Sequence, residues 1–373
     1  MGYVAVTGGQ KAILHAESLV KYFRLRQAKE TITTDQIESQ MRLLIDRVMG
    51  EGGLYAPEYA ALALKQSEGD PAEAAFLLRA YRSTLPRNYY SLTIEPGDMR
   101  VMRRISSSFK DIPGGQLLGP TYDYTHRLLN FDLRTEDDDE IQSFLESMNL
   151  EAHDLESEHS FQKVADLLRE QGLLSNREKN DEEPFDITRE KITFPASRSA
   201  RLQSLARGET GAMTAMAYSS MRGYGVVHPT IGELRVGHSD VHIPYPFGDE
   251  DDSLYIGEVM LTEVETINSF TQNDQGEVEF MLGYGLTFGQ NEVKAIAMAI
   301  LERSLETKGT SPAQDEEFVL LHIDSIESNG FVSHLKLPHY ITFQSTLDRI
   351  RQAQTESASK KPHSEREGSF SHT

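Results

Sequence analysis

The sequence predicts an α+β protein, a helical N-terminal part packed with a C-terminal part that contains a mainly antiparallel sheet. Capped helical segments, two of them opened by proline, fill the chain to about residue 84. Four short β-rich segments, Glu233–Val236, Asp240–Ile243, Tyr255–Glu265 and Glu279–Phe288, are bounded by Gly or Pro, the pattern of an antiparallel sheet. One strongly amphipathic helix follows them. A chain of 373 residues exceeds one ordinary core, so two domains or one core with large insertions is expected. The division read from composition is a mainly helical region 1–130, an acidic insertion or linker 131–185, a mixed core 186–345 and a polar, disordered tail 346–373.

After a first short strand, Lys11–Gln27 reads as a helix, and Thr34-Asp35-Gln36-Ile37-Glu38 as the capped start of another that runs through Leu43, Leu44 and Val48 to Gly50-Glu51-Gly52-Gly53. Pro57–Ser67 and Pro71–Thr84 form a helical pair. Gly69 ends the first, Asp70 caps the second, and Arg79 and Arg82 fall on its exposed side. Arg100, Arg103, Arg104 and Lys110 then lead into the glycine-rich Pro113–Arg127. The insertion is broken by one amphipathic stretch, Phe161–Leu174. Ser199–Arg207 and Thr210–Ser219 read as helices parted by Gly208. Asn291 is the expected cap of the best helix, whose Val293, Ile296, Ala297, Ile300, Leu301 and Leu305 repeat at helical spacing. Gln314-Asp315-Glu316-Glu317 reads as an acidic turn leading into a short apolar strand, Phe318–Leu320. No internal repeat is present.

Composition removes several function classes. With no cysteine, the chain cannot hold an iron–sulfur cluster through its own thiolates, act as a thiol nucleophile or build a thiolate zinc site. A formal net charge of −21 argues against sequence-independent nucleic-acid binding. No apolar run approaches the roughly 18 residues needed to span a bilayer, and the start lacks a basic, apolar leader, so a cytoplasmic location is expected. No Walker loop occurs.

Four stretches carry candidate chemistry. Gly114, Gly115 and Gly119 let backbone N–H groups approach an anion, and Thr121 is placed to start a helix whose N-terminus favours phosphate. Behind them stand Tyr122, Asp123, Tyr124, His126 and Arg127; a tight turn is the plain alternative. Arg198, Arg201, Arg207 and Arg222 present planar forks suited to phosphate oxygens, or a solvated face. On a strand Glu263 and Glu265 share a face, and a buried carboxylate pair would have split pKa values useful for acid–base work; an exposed polar face is the alternative. His334 and His339, with Pro338 between them, converge only if the chain bends, giving either a two-histidine half-site for a metal or a polar loop.

Pro113–Arg127, Leu62–Gln66, Phe76–Arg82, Arg222–Gly225, Gln314–Leu320 and Gly330–Tyr340 resemble the signature blocks of the PhnI family, core subunits of the bacterial carbon–phosphorus lyase system. The resemblance covers nearly everything from Tyr3 to about Phe343 except 131–185. Leu261 departs from it, standing where a methionine is expected before Thr262-Glu263. The resemblance implies that adenine is displaced from C1′ of MgATP by an alkylphosphonate, giving α-D-ribose 1-alkylphosphonate 5-triphosphate, with water as the nucleophile when the subunit is alone. It implies work with PhnG, PhnH, PhnJ and PhnL, and two copies of this chain per complex. It also implies a zinc ion at the boundary with PhnJ, the radical S-adenosylmethionine subunit, held in part by His334 and His339. An oxocarbenium-like transition state needs a carboxylate nearby, a cradle for the triphosphate and contacts to the base. The assignment is Asp123 or Glu263 to the cation, Gly114, Gly115, Arg127, Arg198 and Arg222 to the anions, and Tyr124 or His126 to the base. The alternatives are a scaffold subunit without chemistry and, ranked below it, a calcium-dependent nucleoside hydrolase, whose aspartate cluster after the first strand is replaced here by Thr7-Gly8-Gly9-Gln10.

Overall fold

The computed structural model describes residues 9–152, 161–174, 183–222, 229–248, 252–272, 276–337 and 340–359. The strand expected before residue 9, Gly223, Gly225, His339 and the tail beyond 359 lie outside these. The fold is α+β, as the punctuation predicts, and the chain forms two units. The smaller, residues 1–31 and 327–373, holds α1 (Gly9–Leu25), most of α12 (Ser325–His334) and α13 (Tyr340–Ser359). No residue of α1 is buried, and Ile13, Leu19, Val20 and Phe23 are exposed. The polar segment expected to be disordered from 346 is helical as far as Ser359.

The larger unit, residues 32–326, opens with α2 (Thr34–Gln40), α3 (Arg42–Gly52), α4 (Pro57–Gln66) and α5 (Pro71–Arg82). The helix expected from Thr34 to Gly50 is broken at Met41, and its capping box is made by Thr33 with Gln36. Asp70 caps α5 as expected, accepting from Ala72 N at 2.9 Å and Glu73 N at 3.1 Å. Arg79 is not on an exposed side. It ion-pairs with Asp324 at 2.6 Å and donates to Glu51 O at 2.6 Å, so α5 is tied to the far end of the unit. Ile37, Val48, Met49, Leu64 and Leu78 fill the core between these helices.

Four antiparallel strands follow in the order β1 (Arg100–Ile105), β2 (Thr230–Pro244), β3 (Ser253–Gln272) and β4 (Val278–Phe288). The two strands expected over 233–243 are one long strand, and β1, read as a run of cations, is the outer strand on β2. Between β1 and β2 the insertion contributes α6 (Asp138–Ala152) and α7 (Val164–Glu170), followed by α8 (Arg198–Arg207) and α9 (Thr210–Met221). After the sheet come α10 (Glu292–Leu305) and α11 (Glu316–His322). Phe318–Leu320 is thus helix, not strand: Asp315 accepts from Phe318 N at 2.9 Å, and Glu316 and Glu317 complement the helix start.

α10 covers one face of the sheet. Asn291 stands at its N-cap position as expected, but its side chain makes no capping bond; the amide donates instead to Asp46 O at 2.8 Å and Phe288 O at 2.7 Å, stitching α3 to the sheet. Gly283 and Gly285 let the helix seat closely, since a Cβ at either would meet the carbonyl of Ala299 or Ala295. Gly285→Ala is therefore expected to lower the unfolding free energy by about 1–3 kcal/mol through overpacking, read from the urea midpoint. On its other side α10 joins α8, α9 and α11 around Leu205, Met213, Met298, Leu301, Val319 and Ile323. The opposite face of the sheet is covered by α7 and the segment after it, through Ala165, Leu168 and then Leu174 against Phe109, Ile267 and Leu282.

Candidate functional site

Under α7 the sheet carries ionisable side chains rather than an apolar layer. Arg104, Arg235 and Glu263 are cross-strand neighbours, as are Glu233, Glu265 and, on β4, Tyr284. Opposed residues of antiparallel strands share a face, so alternation turns all six the same way. Burial is nearly complete: Arg104 and Arg235 are 0% exposed, Glu233 and Glu263 2%.

Arg104 anchors the layer. Its Nε lies 2.5 Å from Glu233 Oε1, and its terminal nitrogens donate to the carbonyls of Pro113, Gly115 at 3.3 Å and Gln162 at 2.9 Å. The guanidinium stacks over Phe161, 4.9 Å from the ring centre. Glu233 accepts a second bond from Val164 N at 2.9 Å, so the start of α7 is pinned to the sheet. Lys163 reaches down from the same segment to Glu263 Oε1 at 2.6 Å and stands 3.8 Å from Glu265 Oε1. Tyr284 OH also donates to Glu263, at 3.1 Å, and Arg235 Nη1 is 3.8 Å from its other oxygen. The insertion is thus part of the site.

Burial pushes the Glu265 carboxyl up to about 7, Lys163 opposing the rise and the carboxylates of Glu263 and Glu233 adding to it. Burial and Glu263 also hold the Tyr284 phenol well above its ordinary range, so it is a donor at neutral pH. A carboxyl raised when folded binds its proton more tightly in the folded chain. Its stabilising contribution is complete below the unfolded value, near 4.5, and is lost as pH rises to about 7. Glu265→Gln is expected to abolish a fall of about 3 kcal/mol over that window, measured as the difference between wild-type and variant urea unfolding.

The glycine-rich loop hangs on the other side of β1. Arg103, the neighbour of Arg104, points to the opposite face, where Nη2 lies 2.5 Å from Asp123 Oδ2 and Nε 2.9 Å from Glu292 Oε1 at the start of α10. Asp123 is held below the usual carboxylate range, first by its bond with the Thr121 hydroxyl and also by Arg103 and Arg127. No helix starts at Thr121; the segment to Asn130 is irregular apart from one turn at Asp123-Tyr124. Gly114 and Gly115 have φ of 80° and 76°, and a Cβ at Gly114 would run into the Phe161 ring. Gly115 N–H donates to Ile112 O at 2.9 Å, so the turn itself uses that amide. Tyr124, His126 and Arg127 are exposed.

Most of the expected residues therefore fall into two groups, one on the sheet face and one in the loop beside β1. Glu263 belongs to the sheet face, and Arg198 lines a cavity there with Glu265 and Tyr284. Gly114, Gly115, Asp123, Tyr124, His126 and Arg127 form the loop group. Arg222 follows α9 and donates to Tyr218 OH at 2.9 Å; among the described residues no bond ties it to either group. In the smaller unit His334 Nδ1–H donates to Phe331 O. Glu233, Arg235, Lys163 and Tyr284 were absent from the sequence assignment. The available signal was the alternation Glu233-Leu234-Arg235 repeated in Glu263-Val264-Glu265. A wider cleft of about 560 Å³ lies beyond the start of β1, lined by Glu95, Asp98, Arg100, His238, Asp240 and His242.

An α+β protein with a buried layer of charged side chains on one face of its sheet is the class these features define. A family model for bacterial phosphonate metabolism proteins, PhnI, matches residues 2–357. The chain is 48% identical over 361 residues to the α-D-ribose 1-methylphosphonate 5-triphosphate synthase subunit PhnI of Escherichia coli (strain K12), covering 95% of this chain and 99% of that one. It is 43% identical over 362 residues to the same-named subunit of Rhizobium meliloti (strain 1021), covering 95% of each. It is 50% identical over 362 residues to the putative C-P lyase subunit protein HtxH of Stutzerimonas stutzeri, covering 95% and 96%. The chain belongs to the PhnI family, as the sequence blocks implied. Among the described residues no helix is long and apolar enough to cross a membrane.

Proposed function

We propose that this chain, in the cytoplasm, displaces adenine from C1′ of ATP with an alkylphosphonate as a subunit of a carbon–phosphorus lyase complex. The C1′–N9 bond breaks, a phosphonate oxygen bonds to C1′, and a proton goes to the departing purine. The observation that carries the reading is a cavity lined by Glu265 and Arg198, with Glu263 held behind it through Tyr284, which offers carboxylate charge for the cationic C1′ and a guanidinium for an anion. The names of the relatives, which specify a ribose 1-methylphosphonate 5-triphosphate synthase subunit, support the substrate class. In this reading Gly114, Asp123, Arg127 and Arg222 assist with the triphosphate and its magnesium ion, which screens phosphate charge. The test is chromatographic detection of adenine when the chain, assembled with PhnG, PhnH and PhnJ, is given ATP and methylphosphonate. An assembled complex that releases none refutes the proposal.

The exposed apolar residues of α1 favour a subunit that binds partners, and they equally suit a scaffold without chemistry. Adenine released from ATP by the isolated chain excludes the scaffold reading. Zinc at the boundary with PhnJ fits His334: a ring held by Nδ1–H on a backbone carbonyl is oriented as in imidazoles that coordinate through Nε2. His334 and His339 would each contribute one nitrogen. His334→Ala and His339→Ala are expected to reduce zinc in the purified complex to well below one ion per copy, measured by atomic emission, and unchanged zinc retires the metal assignment.

A further inference from the structure

The insertion contributes one element that the buried layer does not use. Every described residue of α6, from Asp138 to Met148, is exposed. Its start is made locally: Asp137 accepts from Asp139 N at 2.9 Å, and Asp138, Asp139 and Glu140 complement the helix dipole. Ile141, Phe144, Leu145 and Met148 then recur at i, i+3, i+4 and i+7, one apolar stripe facing water. The segment leading in continues it, with Phe131 and Leu133 exposed and Leu128 and Leu129 exposed to 82% and 83%. A helix of 15 residues gains little from propensity alone and takes most of its stability from packing its apolar face. A run of exposed side chains this large goes beyond the scattered single exposures of an ordinary surface and marks a contact.

Charge says what covers it. From Leu128 to Met148 the chain carries seven carboxylates, five of them in the run Glu136–Glu140, against Arg134 alone. That field repels anionic lipid headgroups and nucleic acid, and it repels the same face of a second copy. An apolar stripe flanked by carboxylates is matched by an apolar stripe flanked by ammonium or guanidinium groups, the arrangement by which paired helices select each other.

We propose that α6 and the apolar segment before it dock an amphipathic helix of a partner polypeptide, whose apolar stripe is rimmed by lysine or arginine. Phe144 and Leu145, in the middle of the stripe, are the anchors. The acidic run steers the encounter and selects the sign of the partner's rim. The proposal stands independently of the adenine-displacing reaction.

Fluorescence anisotropy tests it, with the full chain titrated into a labelled helical peptide that has leucine along one face and lysine elsewhere. The same peptide with glutamate for lysine is the control. At low salt the lysine peptide is expected to bind at least about tenfold more tightly than the glutamate one. Phe144→Ser with Leu145→Ser should weaken the lysine peptide by about tenfold, and Glu136→Lys, Glu140→Lys and Glu146→Lys together should erase the preference between peptides. The replaced side chains are exposed, so the urea midpoint of each variant should match that of the wild type. Hydrogen exchange places the contact: amides from Ile141 to Met148 should slow by at least about tenfold when the lysine peptide is bound. Equal binding of the two peptides, or lysine-peptide binding unmoved in both variants, overturns the assignment. So does wild-type self-association in sedimentation that Phe144→Ser with Leu145→Ser removes, which gives the face to a second copy. Wild-type binding to phosphatidylserine vesicles lost in the same variant overturns it too, and gives the face to a membrane.

Discussion

Arg104→Met should lower the unfolding free energy by about 3–5 kcal/mol, because it strands a buried carboxylate. Methionine replaces the aliphatic stem of arginine well enough to avoid a large void. What it cannot replace is charge and five donors. Glu233, 2% exposed, keeps only the Val164 amide, and the carbonyls of Pro113, Gly115 and Gln162 lose their shared donor. Removing one partner of a buried pair leaves the full desolvation penalty of the other, whereas removing both is often close to neutral. The double variant Arg104→Met, Glu233→Met should therefore recover most of the loss. Urea unfolding at pH 7.5 for both variants measures the coupling directly. A single-variant loss under about 1 kcal/mol, the size of an exposed pair, would mean water reaches this layer.

Arg104 also shows why part of the fold was legible and part was not. Asp70-Pro71 carries its own cap and first turn, so α5 can be read from neighbouring residues alone. The face of α10 and strands β3 and β4 are likewise written in local periodicity. β1 is not, because Arg103 and Arg104 are adjacent cations whose burial depends on Asp123, Glu292 and Glu233, and the last is 129 residues away. Alternation placed Glu263 and Glu265 on one face correctly, but could not say whether that face met water. Lys163, 100 residues from Glu263 in an insertion that read as a linker, decides it. The error at Phe318–Leu320 is of another kind. Three apolar residues fit either period, and the deciding signal was Asp315 with Glu316 and Glu317, a helix start rather than a turn.

Glu263→Gln should reduce adenine release from ATP and methylphosphonate by about two to three orders of magnitude, the usual effect of removing one preorganised group facing transition-state charge. The substitution keeps the shape of the side chain and an oxygen for Lys163 and Tyr284, so it tests charge more than packing. If the carboxylate acts only as the cation forms at C1′, kcat and kcat/KM fall together while KM for ATP stays put. A purely structural role would instead appear as a lowered unfolding midpoint with turnover per folded complex unchanged. Asp123→Asn gives the internal contrast. Both carboxylates are paired with a cation, but the Asp123 side chain is 46% exposed, so water would screen any field it exerts. Its loss is expected to lower turnover by about tenfold, by loosening the loop that Arg103 ties to α10, while leaving complex assembly intact. Normal turnover in Asp123→Asn would remove the loop group from the chemistry. Turnover within a factor of a few of wild type in Glu263→Gln would remove the buried layer, and with it the structural basis for placing the reaction on the sheet.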